Sequence, residues 1–397
     1  MSPMLNNLFH IGLKGYDPLH VDQGRELVIH VELKSSLEPK CCPHCFCSRI
    51  RSKGRYLRKA RHLESFRRPS VLHIHTRRFQ CTRCLRSFLP DLPGITKGRH
   101  SSEPFRQQVY QHHHDGICSS TIARNKGLGA ATVSRIYAQF TRRKASERLS
   151  LECPQYLGID EHTLHKAQRF STTLCDLRNH RVFDIRPGRS IADLASYLAT
   201  LRGRHKVKVV CIDLSSPYRN IIRTYFPNAR IVADRFHVVR LIYHHFMKLA
   251  RAIAPQLKSH RGGLAAMRKR PAKLTPSQQS KLQKLFNQYP ALKPIHTQMH
   301  QLRRLMNKKH QTQKQCRSHA KVFYRHIHNL RYSDLKPLQT LARTLLDWEK
   351  PIACMWRFAK NNGITEGFHR KMKLIQRRAY GFRNFDNYRL RVIAQCG

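Results

Sequence analysis

Residues 206–239, KVKVVCIDLSSPYRNIIRTYFPNARIVADRFHVV, read as strand, helix, strand and the start of a second helix. The run KVKVVCID is almost continuously apolar, the habit of a strand buried on both faces. SPYRNIIRTYF has helical spacing, and ARIVAD is another short buried strand. HVVRLIYHHFMKLARAIA then continues as a helix. Upstream, QYLGID is a short apolar strand. RFSTTLCDLRN and HRVFDIRP follow it after polar breaks, as in an antiparallel meander. SIADLASYLATLRG is an amphipathic helix with Ser190 as its cap and Ile191, Leu194, Leu198 and Leu201 on one face.

The order over 153–245 is therefore three strands, helix, strand, helix, strand, helix. That is the element order of the ribonuclease H-like fold, an α/β class with a mixed sheet. In such a sheet the first and fourth strands lie side by side and parallel. Asp160 and Asp213, at their carboxyl ends, then project into one crevice. A later helix can bring Glu366, in GITEGFH, to the same place. Hard carboxylate ligands suit Mg²⁺ or Mn²⁺, and a pair of such ions serves in-line phosphoryl transfer. Asp234 also ends a buried strand, so it competes with Asp213 or caps the next helix. Glu161, beside Asp160, faces the opposite way on a strand.

These acids stand out because the 397-residue chain has 75 Lys+Arg against 23 Asp+Glu, a formal net charge of +52. The excess runs along the whole length, and no acid occurs between Arg235 and Ser333. A chain this basic seeks polyanions, nucleic acid first. Carboxylates beside phosphates need a divalent cation between them. The 40% hydrophobic content is enough for real cores, which argues against wholesale disorder. No apolar run approaches ~20 residues, so no membrane span is expected, and the N-terminus lacks the pattern of a signal peptide. The expected location is cytoplasmic, associated with the nucleoid.

Thirteen cysteines would be odd for a secreted scaffold, and their clustering points to metal. Cys42, Cys45, Cys81 and Cys84 form two C-x-x-C pairs, with the strand-like SVLHIHTRRFQC ending in the second. This is zinc-ribbon spacing: four thiolates around a structural Zn²⁺, with no site left open for catalysis. Cys41 and Cys47 compete for the first pair. Next, SEPFRQQVYQHHHDG opens a helix at Ser102, with Glu103 and Pro104 in its first turn. CSSTIARNKGLGAATVSRIYAQFTRRK gives helix, Gly-containing turn and helix, with Ile122, Leu128, Val133 and Ile136 inside. Helix-turn-helix and plain helical hairpin both fit. In the former, Thr132, Ser134 and Arg135 reach a DNA groove.

From about 250 to 350 only helical spacings recur, among them Leu282, Leu285, Phe286 and Tyr289, and Leu338, Leu341 and Leu345. Asn362-Gly363 marks a turn, Thr365 caps a helix whose first turn holds Glu366, and Gly381 ends it. Arg370, Lys373 and Arg377 follow Glu366 along one face and offer cations to a DNA backbone. The aromatics of AYGFRNFDNY are expected in the core rather than stacked on bases.

LGIDEH, NARIVADRFHVVR and TEGFHRKMKLIQRRAYGFRNFDNYRLRV resemble the ISL-three family of insertion-sequence transposases, as do the CPHC and CTRC pairs and the helices after them. The resemblance covers roughly residues 40–397 and is weakest in the helical insertion. It implies a DDE transposase whose ribonuclease H-like core is split by that insertion. The implied activity is cleavage of double-stranded DNA at transposon ends and strand transfer into a target. The implied triad is Asp160, Asp213 and Glu366, with Asp213 resting on CIDLS against the rival VADRF. The expected organisation is an N-terminal strand segment (1–38), a zinc ribbon (39–92) and a helix-turn-helix domain (93–150). The core follows in two parts (151–249 and 351–397) around a basic helical insertion (250–350). Joining two DNA ends calls for a homodimer or larger. A non-catalytic DNA-binding regulator, or a nuclease or resolvase on the same fold, is the alternative.

Overall fold

The structure, a computed structural model, describes residues 12–149, 151–165, 169–358 and 363–397. It divides into two units, 1–143 and 144–397.

The first unit holds a five-stranded sheet: β1 (Tyr16–Gln23), β2 (Leu27–Leu33), β3 (Ile50–Ser65), β4 (Arg68–Cys81) and β5 (Ser87–Phe88). The order is β1-β2-β4-β3, with β5 paired to β4. On β2, Leu27, Ile29, Val31 and Leu33 alternate inward, and Ile29, Val31 and Leu33 meet Tyr16, Ala60, Leu72 and Ile74. The lead-in hairpin is thus part of the sheet that ends at the cysteine pairs, not a segment apart. β3 is the strand that sequence reading missed. Its stretch is dominated by Arg and Lys, and pairing with β4 along nearly its whole length makes it a strand. Three helices follow: α1 (Glu103–His114), α2 (Ser119–Lys126) and α3 (Ala130–Leu149), whose last residues belong to the second unit. Ser102 caps α1 through the N–H of Phe105, as expected. Phe105, Val109 and Tyr110 pack on Ile122, Val133, Ile136, Tyr137 and Phe140, with Leu128 at the edge. Gly127 ends α2 in the left-handed region at φ 58°. A Cβ there would approach the Arg61 guanidinium to 3.2 Å. Arg61 donates to the carbonyls of Lys126 and Gly127, tying β3 to this turn.

The second unit opens with β6 (Tyr156–His165), β7 (Arg169–Asp176) and β8 (Arg181–Pro187), then α4 (Ile191–Thr200), β9 (Val209–Ile212), α5 (Ser216–Tyr225), β10 (Arg230–Ala233) and α6 (Arg235–Ile253). The sheet order is β10-β9-β6-β7-β8. β6, β7 and β8 are antiparallel, while β9 runs parallel to β6 and β10 parallel to β9. This is the mixed α/β sheet expected from the element order. Ser190 and Asp193 form a capping box on α4. Leu194 and Leu198 are buried, but Ile191, the first residue of α4, is exposed.

The helical insertion contains α7 (Arg261–Arg268), α8 (Pro276–Gln288), α9 (Leu292–Met306), α10 (Gln313–Arg331) and α11 (Lys336–Asp347). α12 (Glu349–Arg357), α13 (Gly363–Arg378) and α14 (Phe385–Cys396) complete the chain. Leu282, Leu285, Leu338, Leu341 and Leu345 join the same buried cluster as the strand residues Leu157, Val210 and Val232. The insertion therefore extends the core. Arg235 pins the junction: its buried guanidinium donates to the carbonyls of Met306, Lys308 and Met355. Arg389 of α14 forks onto Asp184 of β8 at 2.6 and 2.8 Å. Among the described residues no helix is long and apolar enough to cross a membrane.

Candidate active site and metal cluster

β6 and β9 pair with Gly158 opposite Cys211, and β9 and β10 pair with Ile212 opposite Ala233. Carried forward, that register sets Asp160, Asp213 and Asp234 at one level on three adjacent parallel strands. Side chains at one level share a face. Their charges act on one another accordingly. Burial, opposed in part by the Glu161 N–H and His237, pushes Asp160 up to about 6, and Asp213 and Asp234 add to the rise. Burial also raises Asp213; His237 opposes the shift, while Glu161 and Asp234 reinforce it.

The two aspartates that compete for the second position differ in what they touch. Asp234 accepts from the N–H of Phe236 and caps α6, with His237 at 3.6 Å. Asp213 caps nothing: α5 has Ser215 at its N-cap position, without a side-chain hydrogen bond. Its Oδ1 is buried and meets no hydrogen-bond partner among the described residues. A buried carboxylate oxygen in that state fits a cation.

Glu366 lies in the first turn of α13. The helix starts at Gly363, so Thr365 is a buried first-turn residue and not its cap. Asn362, of the expected turn, lies outside the described residues. Glu366 is half exposed and pairs with Arg370 at 2.9 Å. The oxygens of Asp160, Asp213 and Glu366 are not all within 4.8 Å of one another.

One turn beyond Glu366, His369 reaches the same place. Its Nδ1 is 3.9 Å from Asp160 Oδ2, and its Nε2 is 3.2 Å from Thr173 Oγ1 on β7. Burial, with His162 and Lys373 nearby, holds His369 down to about 3. The contact with Asp160 is therefore that of a neutral imidazole, not an ion pair. The His162 ring lies beside it, tilted by 32° with centroids 4.9 Å apart, and its Nε2 meets Tyr388 Oη at 3.1 Å. Thr173, His162 and Tyr388 carry no signal in the sequence, since 196 and 226 residues separate the contacting pairs. Glu161 turns away from Asp160, as strand alternation requires, and binds Arg189 with both oxygens at 3.2 Å. Arg370, Lys373 and Arg377 are exposed along α13. In the first unit Ser134 and Arg135 are exposed near the start of α3, and Arg135 donates to the half-buried Thr132 at 3.1 Å.

Cys42, Cys45, Cys81 and Cys84 bring their sulfurs within 4.8 Å of one another. The Cys42–Cys84 and Cys45–Cys81 separations are both 3.6 Å. Each pair is followed by a residue with positive φ, Phe46 (57°) and Leu85 (60°), which curls the backbone around the sulfurs. The N–H groups of Cys84 and Arg83 help pull the Cys81 thiol down to about 6. Cys41 and Cys47 stand outside the cluster. A second group, absent from the sequence reading, is His20, Asp22 and His30 on the open face of the same sheet. There His30 bridges Asp22 (3.1 Å) and His75 (3.0 Å).

A family model described as a transposase matches residues 157–392. The chain is also 27% identical, over 405 residues, to the transposase for insertion sequence element IS1001 of Bordetella parapertussis; the match covers 96% of each protein.

Proposed function

The chain belongs to the ISL-three family of DDE transposases, and from that premise we propose that Asp160, Asp213 and Glu366 are its catalytic triad, acting on the ends of its own insertion sequence. The proposed core is ribonuclease H-like: its strand order, with two parallel strands beside an antiparallel meander, supports that reading. The observation that carries the site is Asp213 Oδ1, buried and unpartnered among the described residues at the same register level as Asp160. Mg²⁺ or Mn²⁺ held there would polarise the attacking and leaving oxygens of an in-line displacement.

The protein's own groups do the rest. Asp160 on β6 and Asp213 just past the end of β9 would hold the cation, and Glu366, in the first turn of α13, would join them if it gave up Arg370. Released Arg370, with Lys373 and Arg377, holds the DNA backbone along the exposed face of α13. Neutral His369, held by Thr173 at its Nε2, is placed to share a hydrogen bond beside Asp160. Asp234 shapes the site from its cap position. In the first step a water oxygen attacks phosphorus and the 3′ oxygen departs as a hydroxyl. In the second that 3′-hydroxyl attacks a target phosphodiester, giving up its proton, and the target's own 3′ oxygen departs as a hydroxyl.

In the first unit the four thiolates fit structural Zn²⁺. A tetrahedron with Zn–S near 2.3 Å has sulfur–sulfur edges of ~3.8 Å, close to the two separations of 3.6 Å. We assign α2 and α3 to a helix-turn-helix in which Thr132, Ser134 and Arg135 meet a groove of the terminal repeats. The partner is double-stranded DNA, and synapsis of two ends requires at least two copies of the chain.

The test is Mg²⁺-dependent cleavage of DNA from the flanks of the encoding gene. Asp160→Asn, Asp213→Asn and Glu366→Gln each abolish cleavage and retain end binding, whereas Asp234→Asn retains measurable cleavage. Activity in any of the first three removes that residue from the triad. Binding without cleavage by the unaltered protein points to the regulator instead.

A further inference from the structure

The open face of the sheet in the first unit carries histidines in register. β1 and β2 pair His20 with His30, and β2 and β4 pair His30 with His73, so three imidazoles form one row across three strands. Side chains two places apart on a strand share a face, which adds Asp22 on β1 and His75 on β4. The other face of β2 supplies Ile29 and Val31 to the core. Packing on that core makes no demand for four imidazoles beside one carboxylate on the opposite side.

The side chains converge. His30 Nε2 lies 3.1 Å from Asp22 Oδ2, and His20 Nε2 lies 3.8 Å from Asp22 Oδ1. The two rings are nearly parallel, with centroids 4.1 Å apart, and each turns its Nε2 toward Asp22. One ligand atom from each of the three residues fits within 4.8 Å of the others. Bonds of about 2.0–2.2 Å around a tetrahedral ion set nitrogen and oxygen ligands ~3.4 Å apart, between the two separations found here.

His30 is also held from behind. Its Nδ1 meets His75 Nε2 at 3.0 Å, and His73 packs edge-on against its ring at 4.8 Å. A metal-binding histidine ordinarily engages its second ring nitrogen in this way, which fixes the tautomer and the ring plane. At 14% exposure His30 is an oriented anchor, whereas His20 at 59% and Asp22 at 63% leave a path for an ion and room for water as a further ligand. Two imidazoles and a carboxylate suit Zn²⁺ better than Mg²⁺, which takes oxygen ligands in an octahedron. The place is separate from the four cysteines: His75 is six residues before Cys81 on β4, about 20 Å at strand rise.

We propose that His20, Asp22 and His30 bind a second Zn²⁺ in the first unit, with His75 as the positioning residue behind His30. The ion bridges β1 and β2 and clasps the edge strand β1 to the sheet. It involves neither the catalytic carboxylates nor DNA, so it stands apart from the transposase reading.

The test equilibrates the full-length protein with Zn²⁺ held by a chelating buffer, with Mg²⁺ in excess, and counts zinc per chain by mass spectrometry of the metal. The unaltered protein holds one equivalent more than His20→Ala and one more than Asp22→Asn. His75→Ala weakens that equivalent roughly tenfold, the effect of losing the group that orients a ligand. Co²⁺ in place of Zn²⁺ keeps the cysteine site in view. Its thiolate-to-cobalt charge transfer is equal in all the proteins, which shows that the substitutions leave the ribbon folded. The second cobalt, without thiolate, appears in the unaltered protein and not in His20→Ala. Zinc content unchanged by either His20→Ala or Asp22→Asn overturns the proposal, and an affinity unchanged by His75→Ala removes His75 from it.

Discussion

Asp213 and Asp234 show how much one hydrogen bond decides. Both end buried strands, and their sequence contexts are equivalent. They differ in their contacts: Asp234 is occupied by the start of α6, whereas Asp213 leaves Oδ1 buried without a partner among the described residues. Local sequence cannot carry that distinction, because it depends on where the next helix begins relative to the strand end. Buried histidines provide an independent test at this scale. Burial, with His300 alongside, holds His296 down to about 4. The folded pKa is below the unfolded value near 6.5, so unfolding takes up a proton as the pH falls. Stability is full above that value and declines by about 3 kcal/mol as pH falls toward 4. Urea unfolding of the metal-loaded protein at neutral and mildly acid pH measures it. His296→Phe should lose less stability on acidification; an unchanged loss would mean another group titrates.

At the scale of elements, periodicity was a good guide wherever the pattern belonged to one element. β9 and β10 read as strands because they are buried on both faces. α4 and α1 read as helices because Ser190 and Ser102 cap them. β3 was invisible, because charged residues become a strand only through a partner. The start of α13 lies three residues earlier than expected, since Thr365 imitates a cap yet is buried inside the first turn. The cysteine pairs were legible because C-x-x-C spacing is itself a geometric constraint. Their consequence is testable: chelation of Zn²⁺ should strip hydrogen-exchange protection from residues 42–50 and 81–88 and weaken end binding. Protection unchanged by chelation would make the thiols ordinary packed cysteines.

Over the whole molecule, 75 basic residues against 23 acidic ones make association with DNA a matter of counterions. Affinity for end DNA should fall by at least ~1,000-fold between about 50 and 200 mM salt, as expected when six or more phosphates are neutralised. A decline under about tenfold, by fluorescence anisotropy, would contradict the electrostatic account. The same imbalance explains why the site was partly legible. Acids are scarce enough that three at element ends stood out, whereas the neutral neighbours His162, Thr173 and Tyr388 had nothing to mark them.

The central claim is that carboxylates far apart in the chain share bound divalent metal. Fe²⁺ substituted at the site and given ascorbate and peroxide generates hydroxyl radicals that cut the polypeptide locally, and mass spectrometry locates the cuts. The account predicts cleavage beside residues 160, 213 and 366 together, suppressed by excess Mg²⁺ and lost in Asp160→Asn. Cuts that spare the neighbourhood of 366, or that persist unchanged in Asp160→Asn, would contradict it.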